Sequence, residues 1–166
     1  MRLLLMRHGI AAEREEWPGT DATRPLTPEG KSKAREVARG LRQIEARIDC
    51  IATSPLLRAR QTADIVGDMY DSEVKEWPEL EHGSWDELAP RLAALKQHLT
   101  PDSVVLLTGH EPSLSVFAMR LFAGSVEGDT LEMKKAGICA LDVEEFREAG
   151  ASLVWHMPPR TLRMLA

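Results

Sequence analysis

The sequence predicts a three-layer α/β fold, a mostly parallel sheet with helices on both faces. Three observations predict it. Leu3 to Met6 and Val104 to Leu107 are continuous apolar runs of strand length, the pattern of strands buried on both faces. Segments with apolar residues at helical spacing alternate with strand-like runs along the chain. Both long runs also stop at polar groups and a glycine, Arg7-His8-Gly9 and Thr108-Gly109-His110. Ligands of such sheets bind just beyond the carboxyl ends of the strands.

In chain order, the first strand is followed by a polar stretch, Ile10 to Arg24, that reads as a long loop over the strand ends. Thr27 is placed to cap a helix that has Pro28 at its first position. Ala34, Val37, Ala38, Leu41 and Ile44 form its apolar stripe, while Lys31, Lys33, Arg35, Arg39 and Arg42 form a solvated face. Ile48 to Ser54 is a second strand. Pro55 then opens a helix whose first turn contains Arg58, with Arg60 pointing elsewhere. Glu73 to Trp77 is a third strand. Leu88, Leu92, Leu95 and Leu99 predict a helix that begins near Pro90 and stops before Thr100.

After the fourth strand, Val104 to Leu107, a helix carries Leu114, Phe117, Ala118 and Leu121. Ile138 to Val143 and Ser152 to Trp155 pair as a hairpin around Gly150, and the tail from Met157 leaves the sheet. There is no repeat, low-complexity segment or linker, so residues 1–166 read as one domain.

Charge narrows the function classes. The 21 basic and 26 acidic residues give a net charge of −5, which argues against nucleic acid or an anionic membrane as partner. An anion site must then be a local concentration of arginine. Cys50 and Cys139 form no C-x-x-C pair and read as small buried hydrophobes in a reducing compartment. With no signal peptide or apolar span, the expected location is cytoplasmic.

If the strands before His8, Ser54 and His110 are parallel neighbours, two imidazoles and two guanidiniums, those of Arg7 and Arg58, meet over one sheet edge. This set is a poor metal site, because it lacks metal-ligand spacing and its arginines repel a cation. Planar guanidinium forks instead match a tetrahedral oxyanion, above all phosphate. A neutral imidazole beside a phosphoryl group can attack phosphorus, and a second can donate to the equatorial oxygens. Neither a metal nor another cofactor is needed.

Leu5-Met6-Arg7-His8-Gly9 resembles the R-H-G signature of the histidine phosphatase superfamily, which includes the cofactor-dependent phosphoglycerate mutases. The run from Ser54 to Ala63 resembles that family's second arginine motif, and Gly109-His110 its second histidine. The resemblance implies a phosphoglycerate mutase-like fold, with His8 as the phosphorylated nucleophile, Arg7 and Arg58 binding phosphate, and His110 completing the pocket. Arg24-Pro25-Leu26-Thr27, Pro78-Glu79-Leu80 and the tail from Trp155 to Leu162 are similar to the small SixA-type phosphohistidine phosphatases. In the stretch from Glu79 to Asp86, Glu79 falls in the register of the superfamily's proton donor, with Glu81 as the fallback.

One departure stands out. Glu111 follows the second histidine where these proteins often have asparagine, and a carboxylate there repels phosphate unless it turns away or binds an arginine. Asp21 and Arg24 lie in the loop that rims the site. His82, His98 and His156 read as surface or packing residues, and Trp17, Trp77, Trp85 and Trp155 as core or loop anchors.

The expected function is a phosphatase acting through phospho-His8 on phosphohistidine in a protein. A short chain without substrate-enclosing insertions leaves an open pocket that accepts a phosphoryl group carried on a protein surface. The rivals are a broad small-molecule phosphomonoesterase, and a catalytically weak module that binds phosphorylated partners. Binding alone needs the arginines and not both histidines. A mutase fits less well, because holding and re-donating phosphate requires water exclusion.

Overall fold

The computed structural model of the protein describes residues 1–126 and 131–166. Strand β1 (Arg2–Arg7) lies inside the sheet and serves two cores at once. Leu3 and Leu5 face one layer and Leu4 and Met6 the other, all fully buried. Each such side chain stabilises the fold by roughly 1.5–3 kcal/mol.

The sheet adds β2 (Cys50–Thr53), β3 (Val74–Glu76), β4 (Val104–Gly109), β5 (Ile138–Val143) and β6 (Ala151–Met157), in the spatial order β3-β2-β4-β1-β5-β6. Strands β1 to β4 are parallel, while β5 runs antiparallel to both β1 and β6. The sheet is therefore mixed but mostly parallel, and the expected hairpin of β5 and β6 closes it.

Helices α1 (Pro28–Ile44), α2 (Leu57–Tyr70) and the short α5 (Pro159–Arg163) cover the face of Leu4 and Met6. Helices α3 (Trp85–Lys96) and α4 (Ser113–Ala123) cover the face of Leu3 and Leu5. The chain leaving β1 turns to the first face and the chain leaving β4 to the second. These two strands are neighbours, with Arg7 paired to Gly109, so their diverging connections open a crevice at the carboxyl edge.

Helix α1 starts as its residues dictate, with the Gly30 N–H donating to Thr27 Oγ1 at 2.9 Å and Pro28 in the first turn. A Cβ on Gly30 would lie 2.0 Å from the Ile10 carbonyl, so only glycine lets the loop after β1 lie on this helix. Helix α2 begins at Leu57 rather than at Pro55, because Leu56 is still extended and its N–H donates to Ser54 Oγ.

Helix α3 corrects the expectation of a start near Pro90. It starts at Trp85, where Asp86 and Glu87 in the first turn favour the positive helix end, and Pro90 lies inside it. The hydrogen bond that Pro90 forgoes would reach the carbonyl of Asp86, an exposed residue. The helix also ends earlier than expected, at Lys96, although Leu95 and Leu99 still pack on the core.

Candidate active site

Backbone pairing brings three strand ends together. The His8 N–H donates to the Gly109 carbonyl at 3.0 Å, and the Ser54 N–H to the Thr108 carbonyl at 3.0 Å. The His8 and His110 rings consequently face each other, with centroids 5.2 Å apart and planes tilted by 52°. Both are buried.

The state of His8 follows from its partner. Its Nδ1 lies 2.7 Å from the Gly9 carbonyl, which can only accept, so Nδ1 carries the proton and Nε2 the lone pair. Burial, followed by the charges of His110, Arg58 and Arg7, lowers its pKa from 6.5 to about 3, against the opposing hydrogen bond to Gly9. The imidazole is neutral at physiological pH. His110 is lowered to about 4, again chiefly by burial and then by Arg58. Its Nε2 meets Ser54 Oγ at 2.8 Å, and its buried Nδ1 has no partner among the described residues.

Arg7 is held through Nη1, which donates to the Met133 carbonyl at 2.8 Å, and its buried Nε has no partner among the described residues. Arg58 is buried in the first turn of α2. Its Nη1 donates to the Asp21 carbonyl at 2.8 Å and its Nη2 to Asp21 Oδ2 at 3.0 Å. Burial would raise the Asp21 pKa, but the charge of Arg58 and hydrogen bonds from Arg58 and Arg24 hold it below the usual carboxylate range. Arg24 completes the set, donating to Asp21 Oδ1 at 3.1 Å and to the Ala12 carbonyl at 2.8 Å.

The structure thus gathers Arg7, His8, Arg58 and His110, and also places Asp21 directly on Arg58 rather than merely at the rim. Thr62, Ser54 and the Met133 carbonyl are further supports that the sequence reading did not single out. The Gly9 N–H donates to Thr62 Oγ1 at 3.0 Å, and that hydroxyl donates to the Arg58 carbonyl at 2.7 Å. The available signal for Thr62 was its spacing, four residues after Arg58 on the same helix face.

Glu79 has a different environment. It belongs to a short 3₁₀ turn, Pro78–Leu80, beside the end of β4, and its carboxylate pairs with Arg91 of α3. Hydrogen bonding to its own backbone amide, together with Arg91, keeps Glu79 below the ordinary glutamate range despite burial. Arg91 in turn stacks over the buried Trp77 ring, 4.2 Å from its centroid. Glu81 is exposed. Glu111 turns back onto α4, where Ser115 donates both its N–H and its hydroxyl to the carboxylate. His82 and His98 are exposed, while Trp77 is a core residue. Cys50 and Cys139 are unpaired.

Chemically, the arrangement sets the guanidiniums of Arg7 and Arg58 beside two neutral imidazoles, and that of His8 keeps an unprotonated Nε2. Among the described residues no three His, Cys, Asp or Glu side chains group as a metal site would require. No helix among them is long and apolar enough to cross a membrane.

Residues 3–103 match the model of the histidine phosphatase superfamily (branch 1), and the chain belongs to that superfamily. It is a phosphatase by class. Over its whole length it is similar to the phosphohistidine phosphatase SixA of Escherichia coli, with 31% identity over 99% of this chain and 98% of that protein. The structure of the protein histidine phosphatase SixA complexed with tungstate superposes with a TM-score of 0.82 and 29% identity, covering 98% of this chain and 99% of that one. An uncharacterised protein of Picosynechococcus is 40% identical over 85% of this chain and 84% of its own length. A mycobacterial glucosyl-3-phosphoglycerate phosphatase, 18% identical with a TM-score of 0.73 over 92% of this chain and 96% of that one, shares the fold.

Proposed function

We propose that the protein removes phosphoryl groups through a phosphohistidine intermediate on His8, acting on phosphohistidine carried by a protein in the cytoplasm. The observation that carries this reading is the Nδ1 bond of His8 to the Gly9 carbonyl. It leaves Nε2 as an unprotonated nucleophile at the mouth of an arginine pocket, with no proton to remove before attack.

In the first step the His8 Nε2 pair forms a bond to phosphorus, while the bond to the leaving group breaks with its pair going to that group. Arg7 and Arg58 bind the phosphoryl oxygens. With the Ser54 hydroxyl donating to Nε2 of His110, the Nδ1–H of His110 is left, among the described residues, to donate to the oxygens, where charge spreads in the transition state. In the second step water attacks phosphorus and the bonding pair returns to His8 Nε2.

The substrate assignment is supported by the chain-length similarity to SixA and by the state of Glu79. Transfer from a phosphohistidine to His8 exchanges one phosphorus–nitrogen bond for another, so it needs little help from an acid. An alkyl ester needs a proton on its departing oxygen, and Glu79 stands ionised against Arg91. A broad phosphomonoesterase is the second reading, favoured by the cleft of about 600 Å³ beside Arg7, which has room for a small ester.

The decisive experiment traps the intermediate. Brief exposure to a ³²P-labelled phosphohistidine protein should leave acid-labile label on wild type and none on His8→Ala. If wild type neither labels nor hydrolyses phosphohistidine, phosphoramidate or aryl phosphate, a phosphate-binding module without catalysis replaces this reading.

A further inference from the structure

The cleft beside Arg7 is not built like an anion site. Val116, Met119 and Leu131 make an apolar wall, with Val116 44% exposed. Two carboxylates, Glu111 and Glu132, stand against the single guanidinium of Arg7. Glu132 already pairs with Lys134 at 2.9 Å. Glu111 does not pair with a cation among the described residues; its partners there are the N–H and hydroxyl of Ser115. Those two donors fix the carboxylate in place without neutralising it. A carboxylate accepts about four hydrogen bonds, so roughly half of its capacity remains for the cleft.

We propose that Glu111 selects the leaving group: it receives the positive charge of a phosphorylated imidazole while Arg7 holds the phosphoryl oxygens. The polypeptide that carries the ring rests on the apolar wall of Val116 and Met119. This deepens the phosphatase reading above and rests on it.

The chemistry gives the carboxylate a purpose. When the phosphorus–nitrogen bond breaks, its electron pair goes to the substrate nitrogen, and His8 Nε2 forms the new bond with its own pair. The substrate ring enters protonated on its distal nitrogen and departs as neutral imidazole that keeps that proton. The positive charge passes to the His8 ring, whose Nδ1 proton already rests on the Gly9 carbonyl. A carboxylate beside the substrate ring favours its protonated form, the form that leaves well. An aryl or alkyl ester offers Glu111 no cation and meets only repulsion between carboxylate and phosphoryl group. Glu111 therefore discriminates in both directions.

The test is calorimetric titration at pH 6 with two phosphonates of matched shape, (imidazol-4-ylmethyl)phosphonate and benzylphosphonate. Wild type should bind the imidazole compound about tenfold more tightly, the value of one hydrogen bond to a charged group. Glu111→Gln should erase that preference, since its amide oxygen still accepts from Ser115 but carries no charge. Glu111→Asn is the second variant if the first does not fold. Equal binding of the two compounds by wild type, or a preference that survives both variants, overturns the proposal. Hydrolysis of phosphohistidine, phosphoramidate and 4-nitrophenyl phosphate by wild type separates the two readings. Inactivity on all three removes the phosphatase reading, whereas activity on any of them without a cation preference in binding removes only this one.

Discussion

Asp21 grips Arg58 twice, through its backbone carbonyl at 2.8 Å and its carboxylate at 3.0 Å, across 37 residues of sequence. The guanidinium is buried, so its charge has to be met inside the protein or by a bound anion. Asp21 meets it in the free protein, and Arg24 keeps the Asp21 carboxylate in place.

Asp21→Ala should therefore destabilise the protein by about 1–3 kcal/mol, the loss of a partner for a buried charged donor. Inorganic phosphate should then raise the melting temperature more in the variant than in wild type, because it replaces the missing anion at Arg58. Thermal melts with and without phosphate check this, and an equal shift in both proteins contradicts it.

Thr62 couples the loop after His8 to Arg58 by accepting from the Gly9 N–H and donating to the Arg58 carbonyl. Thr62→Val keeps the shape but strands the buried Gly9 N–H, so stability should fall by roughly 1–3 kcal/mol. Turnover should fall as well, as His8 loses its fixed position, while Thr62→Ser retains both. Steady-state kinetics on the three proteins, each checked for folding by circular dichroism, decide it.

The two histidines predict an acid-sensitive fold. Their folded pKa values, about 3 for His8 and about 4 for His110, lie below the ordinary 6.5. Between pH 6.5 and those values the unfolded chain binds protons that the folded chain refuses. Stability must then decline as pH falls through this window, at most by about 1.4 kcal/mol per pH unit for each histidine. Below the folded values these two contributions stop growing. Denaturation curves from pH 7 to pH 4.5 should show a shallower decline in His110→Asn than in wild type, and parallel slopes argue against the assignment.

Glu79 should matter for some substrates only. As a carboxylate paired with Arg91 it is protonated only at low pH, so hydrolysis of alkyl phosphates should rise as pH falls toward the carboxyl range. Glu79→Gln should flatten that rise and reduce ester turnover on the order of a hundredfold. Phosphohistidine hydrolysis should stay within about threefold, since its nitrogen leaving group does not draw on this proton. Equal loss on both substrates assigns Glu79 a general role instead.

Much of the fold is legible locally. Leu3 to Met6 and Val104 to Leu107 declare buried strands because a doubly covered strand has no polar face to show. Thr27-Pro28 declares a helix start because cap and first turn are set by neighbours in sequence. Helix α3 shows where local reading errs. Pro90 looks like a helix opener, yet the acidic first turn at Asp86 and Glu87 opens the helix and the proline is carried inside it.

The sequence by itself determined the strand ends and what they bear: Arg7, His8 and His110 where strands leave a sheet, and Arg58 in the first turn of the helix that follows another. Tertiary structure alone decided the state of those groups. Asp21 on Arg58, Thr62 on Gly9, the Gly9 carbonyl on His8 Nδ1, Arg91 on Glu79 and Ser115 on Glu111 depend on which loop lies on which helix and on the direction each side chain takes. Periodicity reports only which face of an element is buried. Protonation, ion pairing and burial depend on distances of a few ångströms between atoms, and several of these pairs are far apart in the chain.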